Sequence, residues 1–328
     1  MLLLLFLLAL VAPAGGQGMP DLVLDQAMLA TSTNFDLQSF APDACELQAT
    51  DLCVGGPGPR TLLRFSVFAV NQGTADLVLG VPPGMIEPPN HGEFVFSSCH
   101  NHYHFDSFAR YELRSRGTST VVAPGQKRSF CVEDTRQAGS TAPAKFCCTP
   151  ACGNRQGVQV GWGDLYPSTL ACQWIDVTGV APGDYDLCVS LNTDGLLAES
   201  PNGNSACVPV TIGAHAVAAP AVKLQAPRGH GRIRVGRRLG VAWQRHARGA
   251  LLFQEVWFSR DAGATYDRIA RVVPPKRASA VHVPVKADMV TEQARVKVYV
   301  CTRNPKGDVT AAALQCGEAT SPPFRIVP

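Results

Sequence analysis

The stretch VAPGDYDLCVSLNTDGLLAESPNGNSACVPVTI, residues 180–212, decides the fold class. Its apolar and β-branched runs, DYDLCVSL and SACVPVTI, are short and are separated by the turn-forming TDG and PNGN. That is the pattern of two or three strands joined by turns rather than of a helix. The same texture extends outward. Residues 60–79, RTLLRFSVFAVNQGTADLVL, read as a strand, an Asn-Gln-Gly turn and a second strand. Further on, FQEVWFS and YDRIARV flank the turn SRDAGATY, and VKVYVC follows. Gly and Pro are frequent and long helical periodicity is hard to find, so the chain is expected to be all-β.

The first 18 residues, MLLLLFLLALVAPAGGQG, hold an apolar run too short to span a membrane, followed by small residues. They read as a secretory signal peptide cleaved after Ala14. No later segment is long and apolar enough for a transmembrane segment. Twelve cysteines in an exported chain imply disulfides, and no C-x-x-C knuckles support a zinc reading. About 310 mature residues suggest two domains.

The net charge of +3 conceals an asymmetry. Residues 1–215 carry 10 Lys and Arg against 19 Asp and Glu, a balance of −9; residues 216–328 carry 19 against 7, a balance of +12. An Ala- and Pro-rich stretch beginning at Thr211 separates the two, which places a boundary at residue 215. The basic half has strands at sandwich-like spacing and resembles the immunoglobulin-like or fibronectin III-like modules appended to secreted enzymes. Its arginines, as in RGHGRIRVGRRLG (228–240), suggest a separable module that holds an anionic surface, such as a polysaccharide or lipid headgroups. Nothing marks a specific nucleic-acid partner.

The acidic half contains SSCHNHYHFDSF, residues 97–108. In an extended strand, His100, His102 and His104 would project from one face, with Asn101 and Tyr103 on the other. Their Cβ atoms would lie roughly 6.5–7 Å apart in sequence order, and strand curvature could bring the imidazoles onto one ion. Imidazole suits copper, zinc, iron and nickel alike. The bland alternative is a surface strand with solvated histidines, which three in strict alternation argue against.

The segment FSSCHNHYHFDSFARYEL resembles the copper-binding segment of lysyl oxidases, and the similarity continues through GQKRSFCVEDT, GDLYPSTLACQWIDVTGVAPGDYDLCVSLN and LAESPNGN. It covers about residues 40–210, within a catalytic domain of residues 19–215 expected to be a lysyl-oxidase-like β-sandwich, followed by the smaller Ig-like or FnIII-like β-sandwich of residues 216–328. The resemblance implies copper at His100, His102 and His104, and a lysine tyrosylquinone made from Lys127 and Tyr166. It also implies oxidation by molecular oxygen of a primary amine, or of a lysine-containing protein, to an aldehyde with release of hydrogen peroxide and ammonia. Asp134, Asp164 and Asp176 are each candidates for the base and none is singled out. The resemblance further implies Cys45–Cys99 and Cys53–Cys172. Hairpin spacing suggests Cys188–Cys207 and Cys301–Cys316, and Cys131 should join one of Cys147, Cys148 and Cys152.

Two other classes compete. A non-catalytic copper-binding or matrix-adhesion protein could share the fold, but the presence of both Lys127 and Tyr166 favours the oxidase. A metal-dependent hydrolase lacks the H-E-x-x-H pattern it would need.

Overall fold

The computed structural model describes residues 18–49, 51–82, 89–90, 92, 94–106, 108–125, 131–148, 152–200, 204–213, 219–247, 249–275, 278–303 and 313–328. The signal-peptide residues up to 17, Lys127 and the boundary at 215 lie outside them. The described chain is all-β apart from one seven-residue helix, Gln26–Ser32, and short 3-10 turns. That helix starts where the Asp25 side chain accepts a hydrogen bond from the Met28 amide, an N-cap on an otherwise unpaired donor.

Residues 180–212 form two strands, Gly183–Leu191 and Ser205–Ile212, paired antiparallel with Cys188 opposite Cys207. Ala109–Ser115 and then Val121–Gly125 extend this sheet. The strict alternation of burial along Ser205–Ile212 is what one buried face and one solvated face require.

Residues 60–79 depart from the expected pair of strands. Gly58–Arg64 and Val67–Asn71 are separate strands in different sheets, and the chain crosses between them at Phe65 and Ser66. Phe65 is buried edge-on against Tyr111, while the Ser66 amide donates to Ser32 Oγ and its hydroxyl accepts from the Ser168 amide. The crossing is therefore hydrogen-bonded and anchored in the core, although its sequence shows no turn residue. Gly58–Arg64 lies between Asn34–Phe40 and Trp174–Asp176; Val67–Asn71 lies between Leu22–Leu24 and Trp162–Tyr166.

Beyond residue 219 the strands form a three-stranded sheet and a larger one. The larger sheet is built on the long Thr291–Arg303 strand, which pairs with Ala250–Ser259, Leu314–Thr320 and Phe324–Val327. Leu239, Val241, Trp243, Val256, Phe258, Val298 and Phe324 make a core of their own there. The two halves nevertheless meet. Leu314 joins the core of the N-terminal half, and Leu252 packs against it. Ser39 Oγ donates to Glu255 Oε2 at 2.5 Å, and Glu255 is fully buried while also accepting from Trp257 Nε1 and pairing with Arg268 and Arg271.

All twelve cysteines are paired. The bridges are Cys45–Cys99, Cys53–Cys172, Cys188–Cys207 and Cys301–Cys316, together with Cys131–Cys152 and the adjacent pair Cys147–Cys148. None links residues before 215 to residues after it.

Candidate metal and cofactor site

The histidines sit on a small hairpin made by Phe94–Ser97 and His102–Phe105. His100 is not in the strand; it lies in the connecting turn, where Asn101 adopts φ of 56°. The imidazoles thus converge because a turn folds His100 back over the strand, and not through the curvature expected of a continuous strand. Ring centroids are 5.6 Å apart for His100–His102 and for His100–His104, and 4.7 Å for His102–His104. One nitrogen from each ring lies within 4.8 Å of the others, and His100 Nδ1, His102 Nε2 and His104 Nε2 are shielded from solvent. An ion with nitrogen bonds of about 2 Å holds tetrahedral donors about 3.3 Å apart, so small ring rotations would close the site. Three neutral imidazoles suit a copper-type ion, although the donor set by itself does not choose among copper, zinc, iron and nickel.

Beneath the turn lies a carboxylate that the sequence reading passed over. Asp51 Oδ1 is 3.4 Å from His100 Nδ1, and Asp51 Oδ2 accepts from Ser97 Oγ at 3.3 Å. The Ser97 hydroxyl in turn accepts from the His100 amide at 3.2 Å. A signal for Asp51 existed: it stands between Cys45 and Cys53, and the pairing of Cys45 with Cys99 carries that segment to the histidines.

Tyr166 ends the strand Trp162–Tyr166 and is buried, with Phe108 nearby at a centroid distance of 6.5 Å. Its hydroxyl donates to Asp164 Oδ2 at 2.5 Å and lies 3.0 Å from the Cys131 carbonyl. Burial pushes the phenol well above the ordinary tyrosine range, and the Asp164 charge and hydrogen bond push it the same way. Asp164 is itself buried, and it accepts from the Glu133 amide and the Thr135 hydroxyl.

Of the other base candidates, Asp134 accepts from the amides of Lys145, Phe146 and Gln159, which makes it a loop staple. Asp176 accepts from the Gly55 and Thr178 amides and lies 3.8 Å from the Arg60 guanidinium. Of the three candidates, Asp164 is the one that touches the phenol. Glu133 shares this neighbourhood; burial raises its carboxyl, while a hydrogen bond from the Cys148 amide opposes the shift. A second cluster of ligand-type atoms, Cys131, Glu133 and Cys152, is not a thiolate site because its two cysteines form a disulfide.

The family described as lysyl oxidase matches residues 20–216. Protein-lysine 6-oxidase of Sus scrofa is 36% identical over 196 residues, which are 57% of this chain and 74% of that protein. The Homo sapiens protein-lysine 6-oxidase is 36% identical over the same length but is covered to only 44%, and Homo sapiens lysyl oxidase homolog 1 is 37% identical over 199 residues, covering 56% of this chain and 32% of its own. The chain thus spans less than half the length of several curated relatives it matches. Among solved structures, the fibronectin(III)-like modules of Clostridium thermocellum CbhA align with 80% of this chain and 83% of theirs at 11% identity, with a TM-score of 0.25, too low to support a structural argument. A match across most of the N-terminal two-thirds, over the segment that holds the histidine hairpin and Tyr166, leaves one conclusion: the chain belongs to the lysyl oxidase family.

Proposed function

We propose that the chain is a secreted copper-dependent amine oxidase that converts primary amines, peptidyl lysine among them, to aldehydes with release of hydrogen peroxide and ammonia. The observation that carries the proposal is the convergence of His100, His102 and His104 within 4.8 Å on a hairpin inside the lysyl oxidase region. When bound, copper at His100, His102 and His104 would supply one-electron and oxygen chemistry, and Tyr166 and Lys127 would be the side chains that provide the phenol and the amine of a lysine tyrosylquinone. Lys127 lies four residues before Cys131, whose carbonyl touches the Tyr166 hydroxyl.

The protein's own residues do the rest. Asp164 fixes the phenolic ring by its hydrogen bond and, two residues away on the same strand face, can receive a proton from that hydroxyl. Phe108 and the surrounding core keep bulk water from the ring. The acidic balance of the catalytic half attracts cationic amines, an effect that salt weakens.

We read residues 19–215 as a lysyl-oxidase-like β-sandwich and residues 216–328 as an Ig-like or FnIII-like β-sandwich that binds an anionic surface or polysaccharide. A separate apolar core and a +12 balance in the latter support this. Six disulfides support an oxidising, extracellular location, and among the described residues no helix is long and apolar enough to cross a membrane.

The test combines metal analysis with product assay. Replacing all three histidines by Ala should abolish copper loading, while Lys127→Ala or Tyr166→Phe should abolish amine-dependent peroxide release. A peptide mass should show Lys127 and Tyr166 covalently joined. Full copper loading in the triple variant, or wild-type turnover in either cofactor variant, defeats the proposal.

A further inference from the structure

Asp51 is a buried carboxylate on a segment held by backbone hydrogen bonds and bracketed by two disulfides. The Asp51 and Leu52 amides both donate to the Gln48 carbonyl, at 2.9 and 2.7 Å, and the Cys53 amide donates to the Glu46 carbonyl at 2.9 Å. Cys45 ties one end of the segment to Cys99, immediately before His100, and Cys53 ties the other end to Cys172. That second anchor is packed: Trp174 Nε1 donates to the Cys53 carbonyl at 2.8 Å, and Phe40, Val54, Leu62 and Trp174 close around the bridge. A carboxylate taken out of water is costly unless its charge has specific partners. The turn points this one at Ser97 Oγ and His100 Nδ1.

Asp51 is not a member of the group whose ligand atoms lie within 4.8 Å of one another; that group contains only the three histidines. Its Oδ1 faces the His100 ring at Nδ1. Metal-bound histidines ordinarily give their second ring N–H to a carboxylate or carbonyl, which fixes the tautomer and the ring plane. We propose that Asp51 is the positioning residue of the histidine centre: Oδ1 stands 3.4 Å from His100 Nδ1, and a small rotation of that ring lets the carboxylate take the Nδ1–H and leave Nε2 as the donor, while Ser97 joins the carboxylate to the backbone of the turn. His100 needs such a partner more than the other two, because it stands on a turn and lacks the strand pairing that holds His102 and His104.

This inference rests on the copper reading of the three histidines, and the experiment separates the two. The full chain, with its six disulfides verified by mass, is titrated with Cu(II) against a chromophoric chelator, and its electron paramagnetic resonance spectrum is recorded. Asp51→Ala should weaken Cu(II) binding about 10- to 100-fold and alter the copper hyperfine pattern. Asp51→Asn, whose amide oxygen can still accept from Nδ1–H, should recover most of the affinity and the wild-type spectrum. Ser97→Ala should fall between them, and Asp43→Asn, an exposed change of equal charge, should match wild type. Copper binding by Asp51→Ala within about twofold of wild type, with an unchanged spectrum, overturns the proposal. So does an Asp51→Asn variant as defective as Asp51→Ala, which would make Asp51 a direct ligand. If the triple histidine variant keeps its copper, the site reading fails instead. Should Asp51→Ala not fold, the Ser97→Ala and Asp51→Asn spectra decide the matter by the same criteria.

Discussion

Replacing Glu255 by Ala should loosen the junction between the two halves. Its carboxylate is fully buried and gathers Ser39 Oγ from the N-terminal half at 2.5 Å, Trp257 Nε1 at 3.0 Å, and the Arg268 and Arg271 guanidiniums at 2.9 and 3.5 Å. Removing it strands two buried donors, each costing about 1–3 kcal/mol. The arginine side chains are 27% and 39% exposed, so water can replace their partner and each loses only about 0–1 kcal/mol. Relief of the desolvation of Glu255 itself offsets part of the loss, leaving about 3–5 kcal/mol overall, most of it from the two stranded donors. For units of this size each kcal/mol moves the melting temperature by about 2–4 °C, so a drop on the order of 10 °C is expected by scanning calorimetry. Glu255→Gln keeps acceptors for Ser39 and Trp257 and should lose less, and Ser39→Ala, which cuts only the bond between halves, should cost about 1 kcal/mol. A Glu255→Ala protein that melts within about 2 °C of wild type would refute this account of the junction. It would also favour the expectation, drawn from strand spacing, charge and the Ala- and Pro-rich stretch, that residues beyond 215 form a separable module.

Two further outcomes follow from burial and close approach. Burial raises the hydroxyl pKa of both Tyr111 and Tyr166 above the usual 10.0. Below pH 10 folded and unfolded chains both hold these protons; above it the unfolded chain releases them and the native one does not, so stability falls by up to about 1.4 kcal/mol per pH unit for each tyrosine. Denaturant midpoints of copper-free protein between pH 9 and pH 11 should show the fall, and Tyr166→Phe should lessen it; equal slopes in the two proteins would count against a buried, protonated Tyr166. Gly163→Ala would place a Cβ 2.5 Å from Phe68 Cε2 and 2.8 Å from the Ala69 carbonyl oxygen, pushing the Tyr166 strand away from Val67–Asn71. It should cost about 1–3 kcal/mol by thermal melt, and an unchanged melt would show that the strands can part freely.

The legible parts of the molecule were those in which residue type and spacing carry the physics directly. Alternating burial in SACVPVTI and the turn residues around it marked strands, and paired half-cystines across such strands marked the Cys188–Cys207 and Cys301–Cys316 bridges. The histidines were visible by their spacing, but their geometry was not: H-x-H-x-H looks like one strand, while the fold puts His100 in a turn at the left-handed Asn101. The break at Phe65–Ser66 was hidden because its cause is tertiary, a buried ring and hydrogen bonds from residues 34 and 102 positions away. Glu255 and Asp51 were missed for the same reason. A carboxylate in a strand or a loop looks like any other until its neighbours are known.

The two bridges that bracket Asp51 give the protein an order of assembly. Cys45 and Cys99 are 54 residues apart in the chain, and Cys53 and Cys172 are 119 apart. Before they close, the 45–53 segment meets the histidine hairpin only through long loops, and loop entropy opposes the encounter. A chain still in its thiol form therefore offers a metal three histidines without their buried carboxylate, a looser chelator than the finished protein. If Asp51 holds His100 as proposed, oxidation precedes firm metal capture: copper added to the thiol form of the chain binds more weakly than copper added to the fully bridged form.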